Sequence, residues 1–164
     1  MGVDPGLVAT GYGVLEAAPG AVTVLDAGVI TTASTQPLEA RLNAIYRAVL
    51  QIIEARTPTF LVVEDLYTEY KFPRTAILMG HARGVIYLAA RQLGVSVTAL
   101  APSEVKRAVT GSGSAGKAQV QRGVQTLLGL KDLPRPSHVA DALSLAVTGL
   151  ARVTGIIPRP RAVR

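Results

Sequence analysis

Hydrophobic positions fall into three kinds of run along the chain. Residues 10–17 (TGYGVLEA) and 21–32 (AVTVLDAGVITT) are rich in Val, Thr, Ile and Leu and are separated by Pro19-Gly20, which predicts an antiparallel hairpin. From 38 to 56, Leu38, Leu42, Ile45, Val49 and Ile53 recur at helical spacing behind Thr35 and Pro37, which suit a helix start. Residues 60–65 (FLVVED) form a nearly continuous apolar run of strand length, the pattern of a central strand buried on both faces. Glu64 and Asp65 close that run, and alternation turns them to opposite faces.

The rest of the chain repeats the alternation of element types. A helix is predicted from Ile77 to about Leu93, with Gly80 and Gly84 one turn apart, and then a strand over 95–100 (VSVTAL). Glycine costs a helix interior about 1 kcal/mol relative to Ala, so this pair asks for a closely approaching helix, within the domain or across a dimer. Residues 102–130 read as two short helices joined by a glycine-rich turn. A last helix begins after Pro134 and Pro136, with Ser137 as its expected cap and Val139, Leu143, Ala146 and Leu150 as its buried stripe. Strand, helix and strand in succession imply parallel pairing through a right-handed crossover, hence an α/β fold. At the start, Pro5-Gly6 ends a first strand with Asp4 at its tip. Only three residues precede Asp4, so that strand is very short or the chain as given lacks part of its natural start.

Composition narrows the class. A length of 164 residues suits one domain, here 1–155, followed by a basic, proline-rich tail over 156–164 that is expected to be flexible. The absence of Cys excludes disulfides and thiolate metal sites and fits a reducing cytoplasm. A net charge of +6 and a pI near 10.1 favour a polyanionic partner. The start of the chain lacks the basic-then-apolar pattern of a secretory leader, and the most apolar helix candidate, 74–93, is interrupted by His81, Arg83 and Arg91, so no membrane association is expected.

Candidate chemistry lies in four polar residues. His138 and Asp141 are three apart in the first turn of the last helix and point the same way, while Asp4 and Glu64 each end a short strand. Singly, each has a bland reading: a turn residue, a strand exit, a helix-capping or surface His. If the first strand lies beside the central one, the three carboxylates crowd together and repel unless cations neutralise them. Magnesium or manganese suits such hard oxygen ligands, and two ions would serve to hydrolyse a phosphodiester. Residues 66–75 mix Tyr67, Tyr70 and Phe72 with Lys71 and Arg74, a composition suited to stacking on unpaired bases beside phosphate. Lys106, Arg107 and Lys117 flank the glycine-rich turn, where lysines and helix amino termini suit DNA phosphate. That turn approaches a nucleotide-binding P-loop, but position 118 is Ala where a hydroxyl is required, and nucleotide binding is rejected.

Together, DPG with TGYGV, VVED followed by Tyr67, GHARG, VKRAVTGSGSAGKAQVQ and SHVADALSLA resemble, in order and spacing over almost the whole chain, the RuvC family of Holliday-junction resolvases. The resemblance implies a ribonuclease H-like fold, a five-stranded mixed sheet flanked by helices. It implies a homodimer that makes paired, metal-dependent nicks in symmetric strands of four-way junction DNA during recombination and repair, in cooperation with the RuvAB branch-migration complex. Asp4, Glu64 and Asp141 fall on the family's metal-binding acids. Position 138, Asp in some members, is His here, as a fourth ligand or a general base. Tyr67 stands where the family has a Phe that inserts at the junction centre, and Lys106 and Lys117 match basic residues near the scissile phosphate. The chain departs from the pattern in its short amino terminus and in one extra residue between Glu64 and Gly84, which blurs transfer onto Lys71 and Arg74. Two other readings follow from the same residues: a module that binds junctions without cutting them, and a ribonuclease H-like nuclease that prefers RNA.

Overall fold

A computed structural model describes residues 1–18, 21–65 and 73–156. Five strands form one mixed sheet in the order β3-β2-β1-β4-β5: β1 (Gly2–Asp4), β2 (Ala9–Ala18), β3 (Ala21–Thr31), β4 (Phe60–Glu64) and β5 (Ser96–Leu100). β1 is antiparallel to β2 and parallel to β4, so the first strand is itself the middle of the sheet and does lie beside the strand that carries Glu64. The predicted hairpin is β2 and β3, although its turn at Pro19 and Gly20 lies outside the described residues. Five helices complete the fold: α1 (Leu38–Arg56), α2 (Pro73–Gln92), α3 (Pro102–Thr110), α4 (Lys117–Leu128) and α5 (Ser137–Thr154).

Two boundaries differ from expectation. α2 starts at Pro73 rather than Ile77, because proline at a first helical position loses no hydrogen bond that the helix would have made. Ser137 is not the cap of α5. Pro136 takes the flanking position and accepts the Val139 N–H at 3.0 Å, so Ser137 is already helical and makes no capping hydrogen bond.

Strand parity decides which layer each residue faces. Val3, Leu61 and Val63 pack with Ile45 and Val49 of α1 and Ile86 of α2 on one side of the sheet. Their neighbours Gly2 and Val62 face the other side, where Leu143, Leu145 and Val147 of α5 form the core with α3 and α4. Two positions further along the same strands stand Asp4 and Glu64, which therefore emerge on the α5 side.

α5 lies unusually close to the sheet. A methyl group on Gly2 would overlap the Ala142 carbonyl and sit 2.5 Å from the Ala146 nitrogen, and one on Gly13 would sit 2.7 Å from Leu143 Cδ2. A methyl on Gly11 would overlap the backbone of His138. Glycine inside these strands thus marks where a helix backbone meets the sheet. Gly2→Ala is expected to destabilise the protein by about 3 kcal/mol in urea unfolding, because both partners are backbone atoms that cannot rotate away.

Candidate active site

The carboxylates gather at the carboxyl ends of β1 and β4, below the first turn of α5. Asp4 is only 9 % exposed, and its Oδ2 lies 2.8 Å from Nδ1 of His138. Ligand atoms of Asp4, His138 and Asp141 all lie within 4.8 Å of one another. Asp141 follows His138 by three residues and so projects from the same side of α5, as the spacing predicts. Glu64 stands outside that tight trio but close enough for both Asp4 and Asp141 to act on it electrostatically.

Side-chain hydrogen bonds fix the turn that follows Asp4. Thr10 Oγ1 donates to the Gly6 carbonyl at 2.6 Å and Thr32 Oγ1 donates to the Leu7 carbonyl at 2.5 Å. The buried Arg41 donates in turn from Nε to Thr32 Oγ1 at 2.9 Å, which ties α1 to this turn. Asp4 is thus presented by a short strand with a braced exit.

The sheet parity also resolves the Glu64-Asp65 pair. Glu64 joins the acids, while Asp65 turns to the α2 side, where Arg83 Nη2 lies 3.7 Å from its Oδ1. Arg83 also donates to the Glu64 backbone carbonyl and, at 3.0 Å, to the Tyr87 hydroxyl. The sequence left Arg83 open between ion pairing and phosphate binding. In the structure it pairs, fastening α2 to the strand end that carries Glu64.

Electrostatics of the cluster are those of a site short of positive charge. Burial, then the neighbouring Asp4 and Asp141 carboxylates, push Glu64 up to about 7. Burial and Asp4 push Asp141 up to about 6, against the opposing pull of Lys117, His138 and Lys106. Burial raises Asp4 as well, opposed mainly by its hydrogen bond to His138. Lys106 and Lys117, on α3 and at the start of α4, are among the charges that oppose these shifts. Arg107 is exposed, with its guanidinium near Gly113 in the turn between those helices. Arg74 is exposed on the first turn of α2, and neither arginine is among the charges that shift the acids. Tyr67 and Lys71 lie outside the described residues.

This donor set fits a hard divalent cation. Three carboxylates and one imidazole converge where burial and like charge disfavour ionisation, and a bound cation reverses both effects.

The match to known proteins covers the same residues. The family model described as "Crossover junction endodeoxyribonuclease RuvC" matches residues 1–149. The chain belongs to the RuvC family. A RuvC protein of that description from Treponema pallidum (strain Nichols) is 47 % identical over 148 residues, covering 90 % of this chain and 75 % of the relative. One from Pelotomaculum thermopropionicum is 44 % identical over 147 residues, covering 90 % and 89 %. Among solved structures, RuvC of T. thermophilus in complex with a Holliday junction substrate superposes with a TM-score of 0.87 at 34 % identity, covering 97 % of this chain and 96 % of that one. The expected ribonuclease H-like architecture is thus present, with Asp4 and Glu64 at the ends of adjacent parallel strands. What the sequence reading of these RuvC motifs missed is the use of Gly2, Gly11 and Gly13. Glycine at interior strand positions was the signal available for it.

The raised carboxyl groups predict a pH-dependent weakness. Their folded values lie above the ordinary 3.8 of Asp and 4.5 of Glu, so stability is fully present below about 4 and is lost as pH rises through about 6 to 7. In chelator, the melting temperature is expected to fall between about pH 4.5 and about pH 8, and Asp141→Asn is expected to flatten that fall. Millimolar manganese at about pH 8 is expected to restore about 5–10 °C, as for a ligand about 100-fold above its Kd.

Proposed function

We propose that the chain resolves Holliday junctions, cutting phosphodiesters of symmetric strands in a reaction that depends on a divalent cation held by Asp4, Glu64, Asp141 and His138. The observation that carries this reading is the convergence of Asp4 and Asp141, from a strand and a helix, on one partly buried point with His138, with Glu64 near enough to feel both carboxylates. A module that only bound junctions would gain nothing from three acids facing phosphate, since each repels the backbone it must hold.

Magnesium or manganese, as one or two ions, would supply Lewis-acid stabilisation of phosphate charge and activation of water. Asp4 accepts the Nδ1–H of His138 in the tautomer that satisfies both groups, which leaves the Nε2 lone pair free. That lone pair is the atom through which His138 would ligate or take a proton. Lys106 and Lys117 offset the acids, which supports a role for them in steadying the charge of a scissile phosphate. Arg107, Arg74, Lys71 and Tyr67 complete the proposed DNA contacts, the cations to phosphate and Tyr67 by stacking at the junction.

Two symmetric cuts call for two active sites, and α2 offers a face on which to assemble them. Gly80 and Gly84 have nothing within 4 Å of the position a Cβ would take, so no helix of the same domain, among the described residues, explains them. Ile77 and Leu88, 60 % and 52 % exposed, continue that same face by helical spacing. A glycine groove between exposed aliphatic side chains suits a second copy of α2, giving a homodimer. The family relationship supports RuvAB as the partner that delivers junctions. A DNA substrate and a chain free of cysteine support the cytoplasm as the place of reaction. No helix among the described residues is long and apolar enough to cross a membrane.

Asp141→Asn is expected to lower cleavage of a synthetic four-way junction by about 10³-fold or more while leaving binding within about threefold. Equal loss of binding and cleavage would contradict a metal-ligand role. Sedimentation is expected to show a dimer at micromolar concentration, and Gly84→Arg is expected to shift it to monomer without lowering the melting temperature.

A further inference from the structure

β1 and β4 carry Asp4 and Glu64 side by side, yet the backbone bond that their register calls for between the two strand ends has no donor. The strands are parallel, with Gly2 beside Val62 and Val3 beside Val63, and the Val62 N–H donates to the Met1 carbonyl at 2.8 Å. In a parallel ladder, a residue turned towards the neighbouring strand donates to one residue there and accepts from the residue two positions further along. Val62 therefore pairs with Met1 and Val3. Carried two positions on, the same register takes the Glu64 N–H to Val3 and brings the Glu64 carbonyl to the backbone nitrogen of residue 5. Residue 5 is proline, which has no N–H to give.

The Asp4-Pro5 step that ends β1 thus leaves the Glu64 carbonyl without a ladder partner, and a partly buried carbonyl needs another donor. Arg83 of α2 supplies it, donating from Nη1 to that carbonyl. The guanidinium is itself held in place. Its Nη2 donates to the Tyr87 hydroxyl at 3.0 Å and lies 3.7 Å from Oδ1 of Asp65, and its central carbon lies 5.3 Å from the centre of the Tyr87 ring. Ala82, Ile86 and Ala89 bury the same stretch of α2, which fixes the base of the side chain. On the other flank of β4, the Asp65 N–H donates to the Leu100 carbonyl at 2.8 Å. Arg83 closes the flank that the sheet leaves open.

We propose that Arg83 is a positioning residue for Glu64, taking the place of the ladder bond that Pro5 removes and so holding the end of β4 against the end of β1. The role rests on the cation site proposed above. Asp4, His138 and Asp141 hold one another through a hydrogen bond and a shared turn of α5. Glu64 comes from a separate strand and stands outside that trio, so its place depends on how the end of β4 is tied. Arg83 acts on the backbone of this residue, and through it on where the carboxylate can meet a cation.

The test is a double-mutant cycle on the full chain, read as manganese affinity by calorimetry at about pH 8. Arg83→Met, which removes every donor, is expected to weaken manganese by about tenfold, and Glu64→Gln by at least as much. The double variant is expected to match Glu64→Gln to within about twofold, since Arg83 has nothing left to position. Equal weakening by Arg83→Met with and without Glu64→Gln would overturn the proposal, because the residue would then support the fold and not Glu64. Unchanged affinity in Arg83→Met would overturn it as well. Should that variant fail to fold, as judged by its melting in chelator, Arg83→Lys, which keeps the charge but not the planar fork, carries the same cycle. Unchanged affinity in Glu64→Gln alone would instead remove the cation site on which the proposal stands.

Discussion

The site depends on how closely α5 lies against β1 and β2. Backbone meets backbone at Gly2 and Gly11, and only there can the first turn of a helix bring His138 within hydrogen-bonding distance of a carboxylate on the neighbouring strand. Any side chain at those positions would lift α5 and pull apart a cluster whose ligand atoms lie within 4.8 Å of one another. The acids are thereby held in place before any cation arrives. Orientation is set by the packing of a core.

That placement carries an electrostatic cost which the structure concentrates rather than relieves. Glu64 and Asp141 are raised to about 7 and about 6, and the surrounding cations only partly oppose the shift. A protein selected for stability alone would separate these groups or replace them. Perturbed carboxyls gathered from two strand ends and a facing helix are instead what a site for a ligand of opposite charge calls for. The positive balance of the whole chain, +6, serves a different purpose, drawing a polyanion towards a pocket that is itself acidic.

Much of this was legible in the sequence because it rests on local periodicity. The stripe from Leu38 to Ile53 gave α1 its observed limits, and the apolar run ending in Glu64 identified an interior strand. His138 and Asp141 were legible as a pair because three residues of helix leave no freedom in their relative direction. The start of α2 was less legible, since Pro73 reads equally as a loop residue or a first helical residue. The reach of Arg83 to Glu64 and Asp65 depends on packing between α2 and the sheet, which periodicity does not encode. The same holds for Gly80 and Gly84, whose spacing asked for a partner but could not say that the described residues of the domain supply none.

The central claim is that Asp4, Glu64, Asp141 and His138 form a cation site. Its most direct test is anomalous diffraction from crystals soaked in manganese at about pH 8, above the values of about 7 and about 6 to which Glu64 and Asp141 are raised. The account predicts a peak within ligand distance, about 2.0–2.3 Å, of oxygens from Asp4 and Asp141, with Glu64 or His138 completing the shell. Manganese bound elsewhere, or no peak among these residues at millimolar metal, would contradict it.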